Sequence, residues 1–237
     1  MYNDKFCSAI IVAAGQGRRM GTKVSKQFLE FEGRPILAYT LKKFQDCKEI
    51  DEIIVVTNEE NIDYCKLNIV DKYSFDKVRD IVAGGSERQF SVYNGISQVS
   101  KRSDIVLIHD GVRPFVKVEN ILDTIKGAID NRACILGVKA KDTIKITNKN
   151  NVIINTPNRD DLWYIQTPQS FEYKLIKESY EKALKDGIFV TDDAMIVERL
   201  GIDVMITEGS YDNIKITTME DLIMCNLLIE SQFKNWR

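Results

Sequence analysis

Apolar runs alternate with amphipathic stretches along most of the chain. Cys7–Ala14 (CSAIIVAA) is continuous and rich in Ile, Val and Ala, which predicts a buried strand. Arg34-Pro35 opens a helix, with Pro suited to a first turn. Leu37, Leu41 and Phe44 then fall on one helical face. Glu52–Thr57 predicts a second strand, and Asn58 is placed to cap the next helix, with Glu59 and Glu60 at its positive end. Val78–Ala83, Ile105–His109 and Cys134–Val138 read as three further strands. This alternation predicts an α/β fold, a parallel sheet covered on both faces and joined by right-handed crossovers. Ligands of such sheets gather at the carboxyl ends of the strands, so residues just after a strand carry the interest.

One segment breaks the alternation. Asp142–Thr156 (DTIKITNKNNVIINT) reads as two period-2 strands around Asn148–Asn151, a hairpin. A lone hairpin is marginal, so it needs a partner surface, either an edge of the main sheet or another subunit. Beyond it, Tyr173–Lys185 and Thr191–Leu200 read as helices, the second with Thr191 as its cap. Asp203–Thr207 and Ile214–Thr217 read as short strands, and Met219–Ser231 as a closing helix. At ~150 residues per domain, 237 residues allow one or two. No repeat or linker-like run divides them, so residues 1–237 are expected to form one domain with a projection at about 139–160.

Composition narrows the chemistry. A chain 44% apolar and 29% charged is neither disordered nor of low complexity. A net charge of -2 gives no global case for nucleic-acid binding. The apolar runs are far shorter than the ~20 residues that span a bilayer, and the N-terminus lacks signal-peptide features. Five widely spaced cysteines, at 7, 47, 65, 134 and 225, suit free buried thiols in a reducing cytoplasm better than disulfides or a zinc ribbon. His109 is the single histidine, so a two-histidine metal site within one chain is impossible. A packed or hydrogen-bonded role suits it better than catalysis.

The strongest chemical signal follows the first strand. Ala13-Ala14-Gly15-Gln16-Gly17-Arg18-Arg19-Met20-Gly21, with Lys23 and Lys26, places four basic residues and no acid between Gly15 and Gln27. Glycines bring backbone N–H groups close to an anion, Arg offers a planar fork to phosphate, and Lys supplies a compact charge. The third glycine comes one residue late for a dinucleotide fingerprint, and no Gly-Lys-Ser/Thr of a P-loop is present. Gly84-Gly85-Ser86-Glu87-Arg88-Gln89-Phe90-Ser91 follows another strand and permits close backbone approach beside the Ser91 hydroxyl. His109-Asp110-Gly111-Val112-Arg113-Pro114 sets a carboxylate beside an arginine at a strand end, suited to a metal, a sugar hydroxyl or a phosphate.

In order and over nearly the whole chain, AAGQGRRMG…KQ, AGGSERQFSVYNG, HDGVRP, DTIK, LWYIQTPQSF, TDDA and EGSYDNIKITT resemble the cytidylyltransferases that act on 2-C-methyl-D-erythritol 4-phosphate. The resemblance implies a Rossmann-like, mostly parallel sheet flanked by helices, with a projecting β-hairpin arm that joins a homodimer. It implies that CTP and methylerythritol phosphate react with Mg²⁺ to give the CDP-alcohol and pyrophosphate, in non-mevalonate isoprenoid synthesis. Arg19 and Lys26 match the transition-state stabilisers. Arg159, expected from the partner's arm, and Lys215 match the residues that position the substrate phosphate. Ala13, Ala14, Gly15, Gly17, Gly85 and Ser91 match nucleotide-binding positions, and Asp110, Arg113, Thr143 and Thr167 match ribose or polyol contacts. Mg²⁺ is expected mostly on triphosphate oxygens, in keeping with its need for few protein ligands.

Some positions depart from the family's commonest pattern. Val12 and Ser25 replace frequent prolines, Ser86 stands where aspartate is frequent, and Gly111-Val112 replaces Ala-Ala. The last change resembles a sister enzyme acting on ribitol 5-phosphate, which is the alternative reading; TDDA and LWYIQTPQ favour methylerythritol phosphate. A nicotinamide-binding oxidoreductase is opposed by the displaced glycine. A non-catalytic nucleotide sensor has no need of the cations at 19, 26, 159 and 215.

Overall fold

The computed structural model describes residues 2–15, 25–234 and 236. Strand β1 (Cys7–Ala13) is followed by a 3₁₀ turn at Lys26–Phe28, a small ribbon of β2 (Glu30–Phe31) and β3 (Arg34–Pro35), and helix α1 (Ile36–Asp46). Next come β4 (Glu52–Thr57), α2 (Ile62–Cys65), β5 (Val78–Ala83), α3 (Arg88–Gln98), β6 (Ile105–Asp110), α4 (Val118–Asn131) and β7 (Ala133–Lys139). The hairpin is β8 (Ile146–Thr147) with β9 (Ile153–Asn155). The chain closes with β10 (Trp163–Glu172), α5 (Tyr173–Lys185), α6 (Ala194–Glu198), β11 (Met205–Glu208) and α7 (Met219–Gln232).

Seven strands form one sheet in the order β11-β7-β10-β6-β1-β4-β5. All neighbours run parallel except β10, which is antiparallel to both β6 and β7. Burial on both faces follows from the sequence: Ile10 and Ile11, adjacent in β1, enter opposite core clusters. Ile11 packs in the cluster that holds Leu37, Leu41 and Phe44 of α1, and Ile10 in the one that holds Val92 and Ile96 of α3. A third cluster, with Tyr39, Phe115, Ile216 and Ile229, seats α7. That helix begins with a reciprocal cap, Thr218 Oγ1 accepting from the Asp221 N–H and the Asp221 carboxylate accepting from the Thr218 N–H.

The predicted strands at 7, 52, 78, 105 and 134 are present with ends shifted by at most a residue. Three expectations need correction. Ile214–Thr217 is not a strand: the segment is irregular, and the Ile216 N–H donates to the Val112 carbonyl at 3.0 Å. Asn58 does not cap a regular helix; a 3₁₀ turn (Glu59–Asn61), the short α2 and a π-helical run (Lys66–Asp71) follow, and Asn58 makes no side-chain cap. The helix expected at Thr191–Leu200 spans only Ala194–Glu198, where the Asp192 carboxylate, not Thr191, accepts from the Met195 N–H. The expected hairpin is present as β8 and β9, and of the two supports it left open, the edge of the main sheet is not the one used. The periodicity gave no warning of β10, whose LWYIQTPQSF sequence is interrupted by Pro168 and by a register shift between Ile165 and Gln169.

Helix α3 lies close to the sheet because Gly95 carries no side chain: a Cβ there would sit 2.5 Å from Ile10 Cγ2 and 3.0 Å from Val56 Cγ2. Gly95→Ala would gain up to ~1 kcal/mol of helix propensity, but overpacking typically costs ~1–3 kcal/mol. The expected outcome is a net loss of stability, read as a lower urea midpoint with an unchanged denaturant slope.

Candidate functional site

Because β1, β4, β5 and β6 run parallel, their carboxyl ends open onto one edge, and a cleft of about 460 Å³ lies there. Its walls include Ala13 at the end of β1 with Ala14 and Gly15 after it, Asn58 after β4, Gly85, Ser86 and Glu87 after β5, and Asp110 and Val112 from β6 and its turn. Lys26, Gln27, Arg88, Ser91, Lys215 and Thr217 complete it. Residues from both ends of the chain, Lys26 and Lys215 among them, thus share one cavity.

The two glycines after β5 are required by close approach. A Cβ on Gly84 would meet Ala14 Cβ at 2.5 Å, and one on Gly85 would meet Phe90 Cβ at 2.3 Å. The Ser91 hydroxyl braces this turn, accepting from the Gly85 N–H at 3.0 Å and donating to the Glu87 carbonyl at 3.2 Å. Opposite, the Gln27 amide donates to the Ala13 carbonyl at 2.6 Å, fixing the exit of β1. Lys26 Nζ donates to the Ile216 carbonyl at 3.2 Å, tying the segment after β1 to the one that carries Lys215.

Asp110 is the electrostatic centre. Its Oδ2 lies 2.9 Å from Lys215 Nζ and 3.5 Å from Arg113 Nε, and its Oδ1 lies 3.4 Å from Arg88 Nε. Burial pushes this carboxyl's pKa up, but Arg88, Lys215 and Arg113 outweigh burial and hold it well below the usual carboxylate range. Arg88 is itself fixed by a two-pronged pair with the buried Asp193, at 2.8 and 2.7 Å, and Tyr180 donates to the same carboxylate at 2.5 Å.

His109 is wholly buried behind Asp110. Its Nε2 faces the Arg113 carbonyl at 3.1 Å, and a carbonyl only accepts, so Nε2 carries the proton. Nδ1 then accepts from the Thr167 hydroxyl at 3.0 Å, and that hydroxyl oxygen accepts from the Asp110 N–H at 3.1 Å. The neutral ring is fully satisfied, and burial pushes its pKa down to about 4.

A family model described as 2-C-methyl-D-erythritol 4-phosphate cytidylyltransferase matches residues 7–231. The chain belongs to that family. A relative of that name from Clostridium botulinum (strain Langeland) is 52% identical over 223 residues, covering 94% of this chain and 97% of that protein. Another, from Caldanaerobacter subterraneus subsp. tengcongensis, is 49% identical over 222 residues, covering 94% of this chain and 98% of that protein. The crystal structure of 4-diphosphocytidyl-2C-methyl-D-erythritol synthase from Anaerococcus prevotii superposes with a TM-score of 0.85 at 42% identity, covering 95% of this chain and 96% of that one.

Of the family positions named from sequence, Ala13, Ala14, Gly15, Lys26, Gly85, Ser91, Asp110 and Lys215 line the cleft. Arg19 and Gly17 lie outside the described residues. Arg113 and Thr167 stand behind the wall: Arg113 donates to the Asn213 carbonyl at 2.7 Å, and Thr167 bridges His109 and Asp110. Thr143 and Arg159 are exposed on the arm side and do not line this chain's cleft; Arg159 donates to the Lys141 carbonyl at 3.2 Å. Sequence reasoning assigned no role to Arg88, Asp193 or Gln27. Arg88 and Asp193 sat inside the quoted GGSERQ and TDDA motifs, but a pairing across 105 positions leaves no local signature.

Below its unfolded pKa near 6.5, His109 takes up a proton in the unfolded chain but not in the folded one until about pH 4. Its contribution to stability is therefore complete above that window and is lost as pH falls through it. As the chain's single imidazole, its NMR signals should show the neutral Nε2–H tautomer from pH 8 down to about 5. Titration of the folded protein with a midpoint near 6.5 would contradict this.

Proposed function

We propose that this cleft binds CTP along the β1, β5 and β6 ends and that Lys26 and Lys215 serve different phosphates within it. The enzyme transfers CMP from CTP to 2-C-methyl-D-erythritol 4-phosphate. An oxygen of the polyol phosphate bonds to the α-phosphorus, and the bond from that phosphorus to the β-phosphate bridge breaks, releasing pyrophosphate. The nucleophile is already ionised near neutral pH, so no strong base is needed, in keeping with a His109 sequestered behind the wall.

Charge builds on the α-phosphoryl oxygens and on pyrophosphate, and fixed cations lower that barrier. Lys26, with Arg19, is assigned to those oxygens, and Lys215 to the incoming phosphate. The observation that carries this assignment is that Lys26 and Lys215 reach one cavity from opposite ends of the chain. Asp110 holds Lys215 ready, and because it also has Arg88 and Arg113 it can release Lys215 to a phosphate without becoming an unpaired buried charge. Gly85 and Ser91, on the braced turn, are assigned to the base, beside Ala13, Ala14, Gly15 and Gly17.

Mg²⁺ fits such a cleft as a nucleotide-bound ion. Glu87 and Asp110 are the wall carboxylates that would stand nearest such an ion, and because Asp110 already pairs with three cations most of the ion's ligands would come from the triphosphate. Bound there, the ion would neutralise charge on the triphosphate.

We further assign the arm to a homodimer in which Arg159 and Thr143 complete the partner's site. Ile146, Val152, Ile153 and Ile154 leave 45%, 58%, 57% and 63% of their surface exposed on a two-stranded ribbon that is marginal alone. Five unpaired buried cysteines suit a reducing cytoplasm. Among the described residues no helix is long and apolar enough to cross a membrane.

Lys26→Ala should lower kcat by ~10²–10³, measured as pyrophosphate release with both substrates saturating. Arg159→Ala should raise the KM for the polyol phosphate and leave CTP binding intact. Mixing the two impaired variants should raise turnover at low polyol phosphate above that of either alone, because one site of each mixed dimer keeps both residues. Failure to recover activity on mixing, with mixed dimers present, would remove the arm from the site.

A further inference from the structure

The segment that carries Lys215 is not held by a sheet. Between β11 and α7 its backbone is irregular, with turn bonds from Asn213 N–H to the Ser210 carbonyl at 3.0 Å and from Ile214 N–H to the Asp212 carbonyl at 2.7 Å. A lysine that must meet a phosphate would gain little from such a support unless something indexes it to the sheet. The Asn213 side chain does this. It is fully buried, and its Nδ2 donates to Gln166 Oε1 at 3.1 Å and to the Thr167 carbonyl at 2.9 Å. Both acceptors lie on β10, beside the end of β6 that bears Asp110. The Asn213 carbonyl in turn accepts from Arg113 at 2.7 Å.

The orientation of this amide pair is forced. Gln166 Nε2 donates to the Ser210 carbonyl at 2.8 Å, which turns Gln166 Oε1 toward Asn213. Two oxygens then face Asn213 Nδ2, so a flipped amide would oppose oxygen to oxygen. The price is visible on the other side, where Asn213 Oδ1 is buried with no hydrogen-bond partner in the structure. An orphaned buried acceptor typically costs ~1–3 kcal/mol, so stability alone is a poor reason for this arrangement.

We propose that Asn213 is a positioning residue for the reaction: riveted to β10 through Gln166 and Thr167, it sets where the Lys215 ammonium stands between Asp110 and the incoming polyol phosphate. The inference rests on the assignment of Lys215 to that phosphate. Asn213 touches no substrate and acts through Lys215 alone.

The test is a double-mutant cycle in the full-length enzyme, with steady-state kinetics on both substrates. Asn213→Ala should raise the KM for the polyol phosphate by about tenfold to a hundredfold, the scale on which small misplacements act. CTP affinity should stay within about threefold. In a Lys215→Ala background the same substitution should change the polyol KM less than about twofold, because its route of action is gone. Gln166→Ala, which removes the anchor from the β10 side, should reproduce the pattern and replaces Asn213→Ala if that variant does not fold. Equal losses for both substrates, or full multiplication of the two effects in the double variant, would overturn the proposal in favour of a general structural role. If Lys215→Ala itself leaves the polyol KM unchanged, the assignment of Lys215 fails and the rivet fails with it; a normal Lys215→Ala effect with an inert Asn213→Ala sinks the rivet alone.

Discussion

One carboxylate, buried at the end of β6 and shared among three cations, organises this edge of the protein. Taking Asp110 out of water is costly, and a single partner would leave the balance uncertain. Arg88, Arg113 and Lys215 come from α3, from the turn after β6 and from the segment before α7, so satisfying this one charge draws three separate elements together. Three cations surround one carboxylate at the cleft, so this corner carries more positive than negative charge around Asp110. The same pairing that satisfies the buried carboxylate thus fixes where these three cations stand along the cleft edge.

Behind that charge lies a set of neutral hydrogen bonds that leaves little freedom. Thr167, His109 and the Arg113 carbonyl form one chain; Gln166, Asn213 and the Ser210 carbonyl form another. Both pass through β10, the one strand of the seven-stranded sheet that runs against its neighbours. Reversing a strand beside β6 brings its amino-terminal half, with Gln166 and Thr167, to the edge where the parallel strands end. A parallel strand in that place would present its last residues there instead.

Much of the frame was legible in sequence because parallel strands buried on both faces read as unbroken apolar runs, as in Glu52–Thr57, where all six residues are buried. The glycine-rich turn after Ala83 was legible for a related reason, since close backbone approach needs glycine at adjacent positions. What stayed hidden depends on tertiary partners. Ile214–Thr217 alternates like a strand, yet Ile216 is drawn inward by the cluster under α7 and its neighbours find side-chain partners, not a ladder. Strand β10 carries a proline and a register shift that blur its period. Arg88 with Asp193, and Asn213 with Gln166, are contacts between segments far apart in the chain, and neither partner's local sequence names the other.

The five cysteines illustrate a different kind of consequence. All are buried, and burial pushes the Cys7, Cys65 and Cys225 thiols up to about 12 and those of Cys47 and Cys134 up to about 11. At neutral pH almost none is thiolate, the form that attacks electrophiles and disulfides. The outer surface is thus chemically silent toward thiol reagents, and a single cysteine introduced on the arm would accept a fluorophore or spin label without competition from the native ones.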